Sequence, residues 1–151
     1  MQIRPCTESD ASGIESLFQE FAVYLRSIGD KSDYRFGARQ YLADGFGSNP
    51  AFRGLVADDR SELIGYVLFC HTYDVEYLRN FYIVDLYVQR ASRGKGVGMM
   101  LMDEVMKLAS AEGVARLSWA VHRNNAGAIR FYEALGAKYT SDTHLMYLDL
   151  T

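Results

Sequence analysis

Cysteine is scarce. Cys6 and Cys70 are the two in 151 residues, and they form no CxxC pair. A disulfide scaffold and a cysteine-built zinc site both lack material. Histidine is as thin: His71, His122 and His144 are widely spread, no HExxH occurs, and no metal is called for. Long apolar runs are missing as well. The longest span about five residues, as from Tyr66 to Cys70, where a bilayer crossing requires ~20. The opening Met1-Gln2-Ile3-Arg4-Pro5 has no signal-peptide core, Gln2 is not a myristoylation glycine, and no prenylation box closes the chain. No membrane partner is expected, and a soluble cytoplasmic protein is the default. Excess basic charge is also absent. Lys and Arg number 16 and Asp and Glu 19, a net charge of −3, so no overall field draws the chain to phosphate backbones. Nucleic acid is not an expected partner.

What is present is ordinary globular material: 49% hydrophobic, 13% aromatic and 23% charged. The length suits one domain, 1–151, that buries ~70% of its unfolded surface. A short strand from Gln2 to Arg4 stops at Pro5. Thr7, Ser9 and Asp10 offer N-cap oxygens to a helix whose apolar residues recur at Ile14, Leu17, Phe18, Phe21, Ala22 and Leu25. A weaker helix reads from about Tyr34 to Leu42. Phe52 to Ala57 and Leu63 to His71 form a hairpin about the polar turn 58–61, Thr72 to Asn80 reads as a loop, and Phe81 to Val88 is a third, nearly continuous apolar strand. Arg93-Gly94-Lys95-Gly96-Val97-Gly98 leads into a helix with Val97, Leu101, Val105 and Leu108 on one face. Asp103 and Lys107 form an i,i+4 pair opposite, the methionines fill the core, and Gly113 is the C′ residue. Leu117 to Val121 is a strand, Asn124-Asn125 caps a helix through Leu135, and Lys138 to Thr140 and Leu145 to Leu150 are terminal strands. The pattern is a mixed α/β (α+β) domain.

Strand, glycine loop and helix in that order make an anion-binding arrangement. The N–H groups at a helix start lack partners, the dipole is positive there, and glycine lets the backbone approach a phosphate. Three glycines in the stretch Gly94–Gly98, flanked by Arg93 and Lys95, exceed what a turn needs. A Walker A loop would continue Gly-Lys with Ser or Thr, and here Gly96 follows Lys95. A dinucleotide fingerprint would need its third glycine where Met99 or Leu101 stands.

The remaining pattern, Arg93 with Gly96 and Gly98, resembles the pyrophosphate loop of the GNAT superfamily of N-acetyltransferases. A second segment, Asn125-Ala126-Gly127-Ala128-Ile129-Arg130-Phe131-Tyr132-Glu133-Ala134-Leu135-Gly136, resembles that superfamily's Asn, Ala and Phe-Tyr before a closing Gly. Asp44-Gly45-Phe46-Gly47 and Thr72-Tyr73-Asp74 are similar to stretches of its diamine (spermidine/spermine) branch. That branch carries Glu-Asp where this chain reads Val84-Asp85, so one substrate-holding carboxylate is missing.

The resemblance implies the GNAT fold, a central mixed sheet flanked by helices, and acetyl-CoA as co-substrate. It implies a pantetheine arm along Leu86, Tyr87 and Val88, a pyrophosphate on Arg93, Gly94, Lys95, Gly96, Val97, Gly98 and Met99, and Asn125, Ala128 and Tyr132 lining the far side. It implies Tyr132 as general acid for the leaving thiolate, though spacing alone equally fits a core tyrosine. Asp85 is the one charge in an apolar strand, which points to a role toward a cationic substrate or its proton, or to a capped strand bulge. Asp74, Glu76, His71 and His122 are lesser candidates. The acceptor is expected to be a primary amine of a small molecule, attacking directly in a ternary complex. A protein or peptide amine, or a non-catalytic acyl-CoA-binding regulator, is the alternative. A homodimer is expected, as in the resembling branch.

Overall fold

A computed structural model of the chain describes residues 1–140 and 142–151. They fall into two compact units, 1–120 and 121–151.

The first unit opens with β1 (Gln2–Pro5), a 3-10 turn at Glu8–Asp10, α1 (Ala11–Ser27) and α2 (Ala38–Gly45). Then come β2 (Arg53–Asp59), β3 (Glu62–Asp74), β4 (Leu78–Val88), a 3-10 turn at Arg90–Ser92, α3 (Val97–Ala111) and β5 (Arg116–Ser118). The five strands lie in the order β1-β2-β3-β4-β5, antiparallel except for the parallel β4–β5 pair. This is the expected mixed sheet. Alternate side chains feed two cores. Leu55, Val67, Phe69, Phe81 and Ile83 pack with Leu101 and Val105 of α3, while Val56, Tyr66, Leu68 and Tyr87 pack with Ile14, Phe18 and Tyr41 of α1 and α2.

One irregularity decides what the β4 residues can do. Leu68 of β3 pairs with Asp85 and Phe69 pairs with Ile83, so Val84 is an extra residue on β4. Such a bulge reverses the alternation beyond it. Phe81 and Ile83 face α3 before the bulge, and Leu86 and Val88 do so after it. Tyr87 is therefore turned to the α1 and α2 face, beside Tyr66.

Several elements differ from the sequence expectation. The stretch Thr72–Asn80 is mostly strand. Asp74 accepts the N–H groups of Glu76 (2.8 Å) and Tyr77 (2.5 Å) and the Asn80 amide (2.6 Å), closing a tight turn whose polar residues read as a loop. α2 starts at Ala38, whose N–H donates to the Glu15 carboxylate of α1 (3.1 Å), a cap supplied from another helix. Lys107 bonds Glu104 rather than Asp103. Met102 is buried, whereas Met99, Met100 and Met106 are exposed, so most of the α3 methionines do not fill the core.

In the second unit, α4 (Ala126–Ala134) is N-capped as expected: the Asn125 side chain accepts from the Ala128 N–H (3.2 Å), and Gly136 follows with φ +90°. The two terminal strands are a correction. Residues 138–140 and 145–150 form no strand, and Leu145, Met146, Tyr147, Leu148 and Leu150 are 84–95% exposed. Strand-forming residues make a strand only where a ladder partner exists, and none is found among the described residues.

Candidate active site

The glycine loop folds as an anion cradle. Gly94 and Gly96 have φ of +77° and +78°, a region that side-chain-bearing residues rarely enter, and open space lies where a Cβ would stand on either. Gly96 is the N-cap of α3, and the first helical bond runs from the Met100 N–H to the Gly96 carbonyl (3.0 Å). The N–H groups of Val97, Gly98 and Met99 precede that bond and point out of the helix end. Lys95 is exposed beside them. Arg93 has a different task. Its Nε donates to the Val88 carbonyl (3.1 Å), and its guanidinium lies 5.2 Å from the Tyr87 ring centre and 5.9 Å from that of Tyr24. Tyr87 also stacks on Phe21 at 4.8 Å. Burial, then the Glu20 charge, pushes the Tyr87 hydroxyl up to about 12, so it stays a neutral phenol. Arg93 thus ties the entrance of the loop to the end of β4.

β4 presents a free backbone edge. It pairs with β5 only at Asn80, Phe81 and Tyr82, because β5 is three residues long. Among the described residues, that side has no strand partner from Ile83 to Val88, while the other side stays paired to β3. An extended amide-bearing chain can pair there as a strand would. The stretch holds Leu86, Tyr87 and Val88, with the Val88 carbonyl already engaged by Arg93.

Asp85 sits on this stretch, just past the bulge. It keeps some solvent access yet is closely surrounded by protein. Tyr66 Oη donates to Asp85 Oδ2 at 2.5 Å, and the Leu86 N–H also favours the charge. No cation pairs with it among the described residues. Burial outweighs both hydrogen bonds and lifts the carboxyl from 3.8 to about 6. Tyr34, in the segment between α1 and α2, bonds Asp30 and is held up at about 12 by burial, by Asp30 and to a lesser degree by Asp85.

The other candidates are engaged elsewhere. Asp74 is consumed by its turn, and those N–H bonds hold its carboxyl below the ordinary range. His71 pairs with Glu112 (3.2 Å), which also pairs with Arg53. His122 Nδ1 accepts the Asn124 N–H (3.1 Å). A polar hollow of about 600 Å³ near α1 and the β2–β3 turn is lined by Arg4, Asp10, Asp58 and Glu62, and its arginine is already bound by Asp10 and Asp58. Its lining includes neither Asp85 nor the loop residues 93–99.

Of the expected site residues, Asp85, Leu86, Tyr87, Val88 and the loop Arg93 to Met99 belong to the first unit, and Asn125, Ala128 and Tyr132 to the second. Within that unit Tyr132 is half-buried and packs edge-on against Phe131 (5.3 Å). The residue that sequence reasoning missed is Tyr66. A tyrosine in an apolar strand reads as core, and its signal was only that a buried hydroxyl must find a partner.

The class of protein to which this strand, bulge, edge and glycine-capped helix belong is given by comparison with known proteins. The acetyltransferase (GNAT) family matches residues 14–137. The chain is 32% identical over 146 residues to the thialysine N-epsilon-acetyltransferase of Bos taurus, covering 91% of this chain and 84% of that one. It is 38% identical over 85 residues to L-ornithine N5-acetyltransferase of Arabidopsis thaliana, covering 56% and 37%. The solved structure of the BH1408 protein from Bacillus halodurans superposes with a TM-score of 0.80 at 23% identity, over 98% of this chain and 100% of that one. The protein therefore belongs to the acetyltransferase (GNAT) family. It is an acetyl-CoA-dependent N-acetyltransferase.

Proposed function

We propose that the protein transfers the acetyl group of acetyl-CoA to a primary amine of a small, amino-acid-like molecule, with Asp85 accepting the ammonium proton. The observation that carries this reading is the state of Asp85: enclosed, without a cation, and raised to about 6 beside a free strand edge. The names of the relatives support the acceptor class. They include thialysine and ornithine acetyltransferases and the L-methionine sulfoximine/L-methionine sulfone acetyltransferase of Pseudomonas paraeruginosa.

Acetyl-CoA supplies an activated thioester when bound. The N–H groups of Val97, Gly98 and Met99, with Lys95, would hold its pyrophosphate, the edge of Leu86, Tyr87 and Val88 its amide arm, and Asn125 and Ala128 the far side. An alkyl ammonium has a pKa near ~10.4 and must lose a proton before attack. Asp85, ionised above about 6, takes that proton. The freed nitrogen forms the C–N bond as the C–S bond breaks. Tyr132 donates its hydroxyl proton to the leaving thiolate and is reprotonated from water. The second nitrogen proton leaves to water and Asp85 then returns its own proton to water, so one ammonium and one thioester give one amide, one thiol and one released proton.

Residues 1–151 act as one catalytic domain in this reading, since the family match runs across the division at residue 120. The working unit is a homodimer. Its support is the exposed apolar stretch from Leu145 to Leu150, which water disfavours and a second copy would cover. A cytoplasmic setting fits two free thiols, Cys6 and Cys70. The test is a broad amine panel read by thiol release, with light scattering at micromolar concentration. Amino-acid-like amines should give the highest turnover, from a dimer. Tyr132→Phe should then lower turnover by roughly 10²-fold with little change in acetyl-CoA affinity. Equal turnover returns Tyr132 to a packing role.

A further inference from the structure

We propose that Tyr66 is a positioning residue for acetyl transfer: its buried hydroxyl holds one carboxylate oxygen of Asp85 and so fixes the orientation in which the other receives the acceptor's proton. The proposal rests on Asp85 being the proton acceptor and goes beyond it, because it assigns a role to a residue that need touch neither substrate.

The geometry is specific. Tyr66 is fully buried (0% exposed), its ring packed in the core between the sheet and α1 and α2. Tyr66 pairs across the ladder with Tyr87, and Leu68 pairs with Asp85. Tyr66 and Asp85 are therefore diagonal neighbours, and they meet because the Val84 bulge turns Asp85 off the α3 face. Without the extra residue Asp85 would follow Phe81 and Ile83 toward the apolar side chains of Leu101 and Val105. The 2.5 Å contact runs from Tyr66 Oη to Asp85 Oδ2, so that oxygen is occupied and the carboxylate plane is pinned. A proton acceptor held this way has a defined direction, which proton transfer requires.

The hydrogen bond also favours the ionised carboxylate against the burial that disfavours it. The titratable groups that bear on Asp85 are Tyr66 from β3 and Tyr34 from the segment after α1, with Tyr87 of β4 bearing on Tyr66. All three are phenols raised above their ordinary value, so all stay neutral where the enzyme works. Within this group the carboxyl of Asp85 is what titrates near neutrality.

Tyr66→Phe keeps the ring and removes the hydroxyl. The pH profile of kcat/KM is measured for the wild type and this variant with the best acceptor of the amine panel. The acid limb should move up by about one pH unit, so that kcat/KM falls about tenfold at pH 5 and less than about threefold at pH 9. A merely structural tyrosine would lower both points alike and leave the limb in place. The carboxyl ¹³C titration of Asp85, assigned by its loss in Asp85→Asn, supplies a readout free of turnover. Its midpoint should rise in Tyr66→Phe. An unmoved limb or an unmoved midpoint in the folded variant overturns the role of Tyr66. If Asp85→Asn keeps full activity, the base assignment itself has failed. If Asp85→Asn is inactive while the Tyr66→Phe limb stays put, only the positioning role has failed.

Discussion

Two carboxylates lie enclosed in the first unit, and the company they keep differs. Asp10, 6% exposed, stands at the start of α1 and accepts from both terminal nitrogens of Arg4 (2.9 and 2.8 Å) and from the Thr7 N–H (2.8 Å). Burial works against its charge, but Arg4 and Thr7 together outweigh burial and hold the carboxyl below its ordinary value. Asp85 has only a phenol and a backbone N–H, and burial wins. The first arrangement makes a permanent anion that ties β1, α1 and, through the Arg4–Asp58 bond, the end of β2. The second makes a group that can exchange a proton near neutral pH. What separates a structural acid from a chemical one here is the presence of a guanidinium.

Linkage gives the two acids opposite signatures. Asp10, with a lowered carboxyl, contributes stability that is present above its unfolded value and lost as pH falls through its folded one. Asp85, raised from 3.8 to about 6, binds its proton more tightly when folded. It therefore lowers stability as pH rises from about 3.8 to about 6, and the cost stays constant above that.

The largest break in the comparison is Asp85→Asn. Turnover should fall by about 10³-fold or more, while stability at pH 7 rises by up to about 3 kcal/mol, because the amide carries no charge to bury. Steady-state rates and thermal melts at pH 7 check this, and a variant that is both active and less stable would make Asp85 an ordinary packing acid. Asp10→Asn is the reverse case. Removing one partner of a buried ion pair should cost about 2–3 kcal/mol in denaturant unfolding, moderated because Arg4 retains Asp58, and the turnover of the folded fraction should hardly change.

Two further changes sharpen the contrast without touching either acid. Gly96→Val strains a backbone at φ +78° and fills the open space above the loop. Calorimetry should show acetyl-CoA affinity weakened about tenfold or more, while the Asp85 titration stays in place. Val84→Glu adds an acid at the bulge, where Val84 is 47% exposed. An exposed carboxylate contributes about 1 kcal/mol to holding a second ammonium, so kcat/KM for spermine should rise by about fivefold and that for a monoamine should not. An equal change for both would remove the bulge from acceptor selection.

Much of this was legible in the sequence, and for a common reason. The glycine loop, the Asn125 cap and the alternating strands are local patterns, and each folded as its residues dictated. Asp85 was visible as the one charge in an apolar strand. What escaped notice was set by distant partners. Glu15 moved the start of α2, Asp74 turned a polar stretch into strand, and the Val84 bulge placed Tyr66 beside Asp85. The terminal strands fail from the same cause, since residues 145–150 have strand-forming side chains but no ladder among the described residues. Alternation along one strand cannot reveal a bulge, which is a property of two strands in register.

The most direct test is to titrate both acids in one sample. With ¹³C-labelled aspartate and the resonances assigned by Asp10→Asn and Asp85→Asn, the carboxyl shifts of the intact enzyme are followed from pH 2.5 to 9. The Asp85 midpoint should lie near 6, with that of Asp10 below the ordinary aspartate value. If both carboxyls titrate together near ~3.9, Asp85 is as solvated as any surface aspartate and the assignment of the proton acceptor is wrong.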